Sequence, residues 1–89
     1  MTRYSGQITV SGVTNFPDVT CQVALIKAHP DNTGVIYVGN DGSNSVSETT
    51  GYPIAAGEAL TIVLEGNLEE LYAFPSVDDD VAAWLLLDK

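Results

Sequence analysis

Eighty-nine residues are enough for one small domain and leave no room for a second core. Twelve acids against three bases give a net charge of −9. That excludes the basic face a nucleic-acid binder needs and disfavours an anionic membrane surface. With 45% hydrophobic residues the chain can still fold. Residues 1–89 are expected to form one domain, with 1–7 as a candidate N-terminal arm.

The acids are unevenly placed. Residues 1–45 hold Asp18, Asp31 and Asp41, and the remaining nine follow, including Glu69-Glu70 and Asp78-Asp79-Asp80. The bases are Arg3, Lys27 and Lys89. A partner surface should therefore be neutral, basic or apolar. Cys21 is a lone cysteine and forms no internal disulfide. The first residues show no apolar signal core, and no apolar run approaches a membrane span. Production and assembly in a reducing cytoplasm are expected.

Period-two runs separated by turn residues predict strands. The first covers Gly6–Val13, with Ile8 and Val10 on one face, and Asn15-Phe16-Pro17-Asp18 ends it. Val19–Ala28 sets Cys21, Val23 and Leu25 against Ala24, Ile26 and Ala28. His29 to Gly34 reads as a turn, Val35–Val38 as a strand, and Asn40 to Asn44 as a second turn. A polar edge strand is expected at Ser45–Glu48. Gly51 to Ile54 is extended but not central, because Pro53 has no N–H. Ala55-Ala56-Gly57-Glu58 places Gly57 third in a turn, where type II needs positive φ. Strands at Ala59–Glu65, Glu70–Phe74 and Val81–Leu87 complete the chain. The expected fold is all-β: a single small antiparallel β-sandwich or jelly-roll-like barrel of seven or eight short strands. The last strand is apolar on both faces, with Ala82, Trp84 and Leu86 opposing Val81, Ala83, Leu85 and Leu87. One face then meets the core, and a loop or another subunit covers the other.

No catalytic constellation is assembled. His29 is the only histidine, it precedes a proline, and no nucleophile elbow accompanies it. One His and one Cys fall short of a zinc site. Asp78-Asp79-Asp80 with Asn40-Asp41-Gly42 lacks the spacing of a calcium loop, and Glu65, Glu69 and Glu70 read as solvated strand edges. No metal, cofactor or enzymatic activity is expected. Tyr37, Tyr52 and Trp84 are candidates for stacking sugars, and the same residue types also suit interfaces and cores.

Several segments, in order, carry a resemblance. They are Ile26-Lys27-Ala28, then Asn32-Thr33-Gly34-Val35-Ile36-Tyr37-Val38-Gly39, then Gly51-Tyr52-Pro53-Ile54. Ala56-Gly57-Glu58 with Leu60 and Ile62 follows, then Asn67-Leu68, Leu71-Tyr72 and Trp84-Leu85. Over residues 20–87 the chain resembles small β-sandwich virion structural proteins of tailed bacteriophages. The resemblance implies a head decoration (cement) protein that binds the outer capsid surface, stabilises the lattice and assembles as a trimer. Its partner would be the major capsid protein or another virion protein, and its location the virion, assembled in host cytoplasm. Alternatives are a head–tail, tail or fibre component, or a carbohydrate- or host-surface-binding module. Trp84, Leu86 and Tyr72 are expected at the oligomer interface, and Thr2, Arg3 and Tyr4 at the capsid contact.

Overall fold

The structure, a computed structural model, describes residues 4–40 and 46–88. Among these residues, eight strands form two four-stranded antiparallel sheets. They are β1 (Ser5–Val10), β2 (Thr14–Asn15), β3 (Val23–Ala28), β4 (Ile36–Gly39), β5 (Tyr52–Ile54), β6 (Ala59–Val63), β7 (Tyr72–Pro75) and β8 (Asp80–Leu86). The first sheet has the order β1-β8-β3-β6 and the second β2-β7-β4-β5. The all-β sandwich expected from alternation is the observed architecture. The last strand is β, not helix, although its alanines and leucines suit a helix.

Alternation fixes which side chains face the core. Even-numbered positions of β3, β6 and β8 point inward: Ala24, Ile26 and Ala28, then Leu60 and Ile62, then Ala82, Trp84 and Leu86. From the second sheet Ile36, Val38, Ile54 and Ala73 meet them, with Phe16, Leu68 and Leu71 from the connections. Phe16 is fully enclosed, which contributes on the order of 2–3 kcal/mol of burial. One close approach depends on glycine. Gly6 lies directly opposite Trp84, and the absence of a Cβ lets the indole lie across β1.

Turn chemistry connects the sheets. Glu58 N–H donates to Ala55 O at 2.9 Å, and Gly57 has φ 84°, as a type II turn requires. A 3-10 turn, Leu68–Glu70, carries the chain from the first sheet to the second. Asn67 caps it by accepting from Glu69 N–H, and Glu70 closes the capping box by accepting from Asn67 N–H. Pro53 sits in edge strand β5, where a missing N–H breaks no inner ladder.

Three expectations are corrected. The polar strand at Ser45–Glu48 is not formed by its described part. Ser47 to Gly51 is instead a turn closed by Gly51 N–H to Ser47 O at 2.8 Å, and Ser45 lies outside the described residues. The Ser47 and Thr50 hydroxyls bond local backbone there and compete with a ladder. The strand expected from Val19 begins at Val23, because Thr20 is held in a separate bridge to Asn67. The first strand ends at Val10 rather than Val13, and the expected break at Asn15 is instead the second residue of β2, which pairs with β7.

Candidate docking surface

The residues expected to carry contacts are distributed unevenly. Trp84 and Leu86 point into the core, 3% and 5% exposed, so the outward face of β8 is the opposite one. Their parity follows from Asp80, whose inward position begins the strand. Tyr72 is half-buried on β7, paired with Asn15 and Gly39. Tyr4 is exposed beside the end of β8, accepting from Leu86 N–H at 2.8 Å. Thr2 and Arg3 lie outside the described residues. Of the three aromatics suited to sugar stacking, Trp84 is enclosed, Tyr37 half-buried and Tyr52 exposed, so they form no common platform.

The sequence pointed to the second apolar face of the last strand, and the structure extends it into the notable surface, the outward face of the first sheet. Its positions are the odd residues of β1, β8, β3 and β6. Adjacent strands bring Leu87 and Val63 beside Val23, and Leu85 and Thr61 beside Leu25. Val63 is 79% exposed, Leu87 48% and Leu85 41%. At the other end Lys27 lies between Ala83 and Ala59, small residues that leave room for its stem to lie flat. Lys27 is the only lysine or arginine among the described residues. No outward strand position on this face carries a carboxylate, although the chain holds twelve acids.

The acids sit elsewhere and hold backbone. Asp80 is buried, and its carboxylate accepts from Thr33 N–H at 3.2 Å and Gly34 N–H at 2.8 Å. Asp79 accepts from the Ser11 hydroxyl at 2.7 Å, and Asp78 from Gly12 N–H at 3.2 Å. The three neighbours thus point to separate donors, and no group of three or more His, Cys, Asp or Glu suited to a metal forms among the described residues. Glu70 accepts from the N–H groups of Glu65, Gly66 and Asn67, each at 2.9 Å. The Glu65 bond chiefly, with those of Asn67 and Gly66 and against some desolvation, holds the Glu70 carboxyl below its ordinary value. His29 accepts from Asp31 N–H at 3.1 Å through Nδ1, which makes it a turn residue. Cys21 is buried in the core.

A groove separates the two sheets at the edge formed by β6 and β5. It holds two adjoining hollows, one of about 260 Å³ beside Pro53 and Glu58 and one of about 430 Å³ beside Val38, Asn40 and Leu71. Tyr52 and Leu60 line both parts. Compared with known proteins, the chain matches no family model, no curated protein and no solved structure.

Proposed function

We propose that the domain is a docking module with a mechanical role, and that it decorates the head of a tailed phage. The observation that carries docking is the acid-free apolar face of the first sheet on a chain of charge −9. Acids on the loops and turns keep the chain soluble and oriented. Apolar contact is left to Val23, Leu25, Val63, Leu85 and Leu87, with Lys27 available to an acidic group on the partner. The head assignment rests on the sequence resemblance.

Size bears on how such a module works. Four strands about 4.8 Å apart, with five to seven residues each at about 3.3 Å rise, give a face of roughly 380 Å² in plan. Stable pairs usually bury about 800 Å² per partner. One such face binds weakly, so a lattice of repeated sites or a trimer that engages several at once supplies the missing affinity. This is the physical reason to join the proposed trimer to the capsid reading. Gold-labelled antibody against the chain, applied to virions of the phage that encodes it, tests the assignment. Label over the head is expected. Label on the tail, or none on intact virions, rejects decoration.

A further inference from the structure

We infer that the free edge of β6 takes up an extended segment of a partner protein, apolar at alternate positions and flanked by lysine or arginine. The inference deepens the docking reading and names the chemistry of the partner, but its hydrogen-bond geometry stands without the head assignment.

The geometry begins with the ladder. Leu64 N–H donates to Gln22 O, and Ala28 N–H donates to Glu58 O. The register between β3 and β6 then turns the backbone groups of Leu60 and Ile62 toward β3. Those of Ala59, Thr61 and Val63 face away from the sheet. β6 ends its sheet, so three N–H and three C=O groups face outward in register. The usual guards of an edge, proline, lysine or a bulge, are absent from Ala59–Val63. β5 carries Pro53, β2 has only two residues, and the outward positions of β1 are Ser5, Gln7 and Thr9. β6 is the edge that combines free backbone with apolar side chains.

Behind that edge lies the groove. Leu60 and Ile62 are only half-covered by their own domain, and Tyr52 forms the facing wall. An added antiparallel strand hydrogen-bonds Ala59, Thr61 and Val63, and its inward side chains enter the groove against Leu60 and Ile62. The chain thereby covers apolar surface that it leaves half-bare.

Charge selects the guest. Glu58 borders one end of the groove, and Glu65 and Glu70 the other. A second copy of β6 pairs well by backbone, with a two-fold axis at Thr61, but that register sets Glu58 opposite Leu64 of the copy, next to its Glu65. The same happens at the far end, so both ends of the pair gather negative charge, Glu58 on the inward face and Glu65 of the copy on the outward face. Self-pairing is thus opposed, and a strand with cationic flanks is favoured.

The test is an NMR titration of the ¹⁵N-labelled full chain with synthetic peptides. Each has five alternately apolar residues, flanked by lysines or by glutamates. The lysine-flanked peptide should shift the amides of Ala59, Thr61 and Val63 and slow their hydrogen exchange. The glutamate-flanked peptide should bind at least tenfold more weakly. N-methylation on the peptide edge that faces β6 should abolish binding, and on the opposite edge it should not. Glu65→Lys should narrow or reverse the preference between the peptides. Unshifted β6 amides at millimolar lysine-flanked peptide overturn the inference, as does equal binding of both peptides. Concentration-dependent protection of the same amides without peptide also overturns it, since it identifies a second copy as the occupant. Loss of head labelling alone removes the virion reading and leaves these outcomes standing.

Discussion

A methyl group at Gly6 tests where Trp84 is. A Cβ there lies 2.6 Å from Trp84 Cζ2 and 2.8 Å from Cε2. Ordinary carbon contacts are about 3.5–4.0 Å, so the indole must move by about 1 Å in a close-packed interior. Overpacking of this kind costs about 1–3 kcal/mol. Alanine recovers about 0.5–1 kcal/mol, because glycine is a poor strand residue. The net expectation for Gly6→Ala is a loss of about 1–2 kcal/mol. At about 4–8 °C per kcal/mol for a domain of this size, Tm falls by roughly 4–16 °C. Thermal and urea unfolding, followed by Trp84 fluorescence and far-ultraviolet circular dichroism, measure it. Gly6→Ala combined with Trp84→Leu should lose the penalty, since the clash needs the indole. If Gly6→Ala is as stable as the parent and the Trp84 emission is unchanged, the packing described for β1 and β8 is wrong. An indole that anchored contact between copies would show the opposite pattern, with association altered and stability kept.

Other predictions follow from the carboxylate and amide clamps. Asp80→Ala leaves the Thr33 and Gly34 N–H groups without their acceptor and should cost about 2–4 kcal/mol in urea unfolding, with Asp80→Asn costing less. Asn32 donates to Val81 O and accepts from Val81 N–H, both at 2.8 Å, so Asn32→Ala should cost about 2 kcal/mol and speed exchange of the Val81 amide. The depressed Glu70 carboxyl stabilises the fold above the usual glutamate range, and that contribution is lost as pH falls through its folded value. Acid titration of stability should therefore be flatter in that window for Glu70→Gln than for the parent.

The sequence made the strands legible wherever apolar residues alternate with polar ones. Ile8 and Val10, or Leu60 and Ile62, point inward as their spacing implies. Gly57 and Pro53 were readable because each carries a backbone restriction of its own. Val81 to Leu87 was readable as a strand but not in its orientation, since both faces are apolar and no local signal chooses between them. The choice comes from distant partners: Gly6, which accommodates Trp84, and Thr33 and Gly34, which hold Asp80 inward. For the same reason nothing local to Asp78-Asp79-Asp80 showed which groups their carboxylates hold. Their donors at Gly12, Ser11, Thr33 and Gly34 are far away in the chain. Only the last strand's share of the docking face was legible, because the face as a whole exists only once β3, β6 and β8 lie side by side.

The central claim is that this outward face makes the contact. Leu85→Glu places a carboxylate at its middle, on a side chain already 41% exposed, and should change stability by no more than about 0.5 kcal/mol. Under the proposed head assignment, co-sedimentation with phage heads that lack the chain compares it with the parent. The account predicts that the parent pellets with the heads at a fixed ratio while folded Leu85→Glu stays in the supernatant. Equal recovery of both proteins with the heads would contradict it.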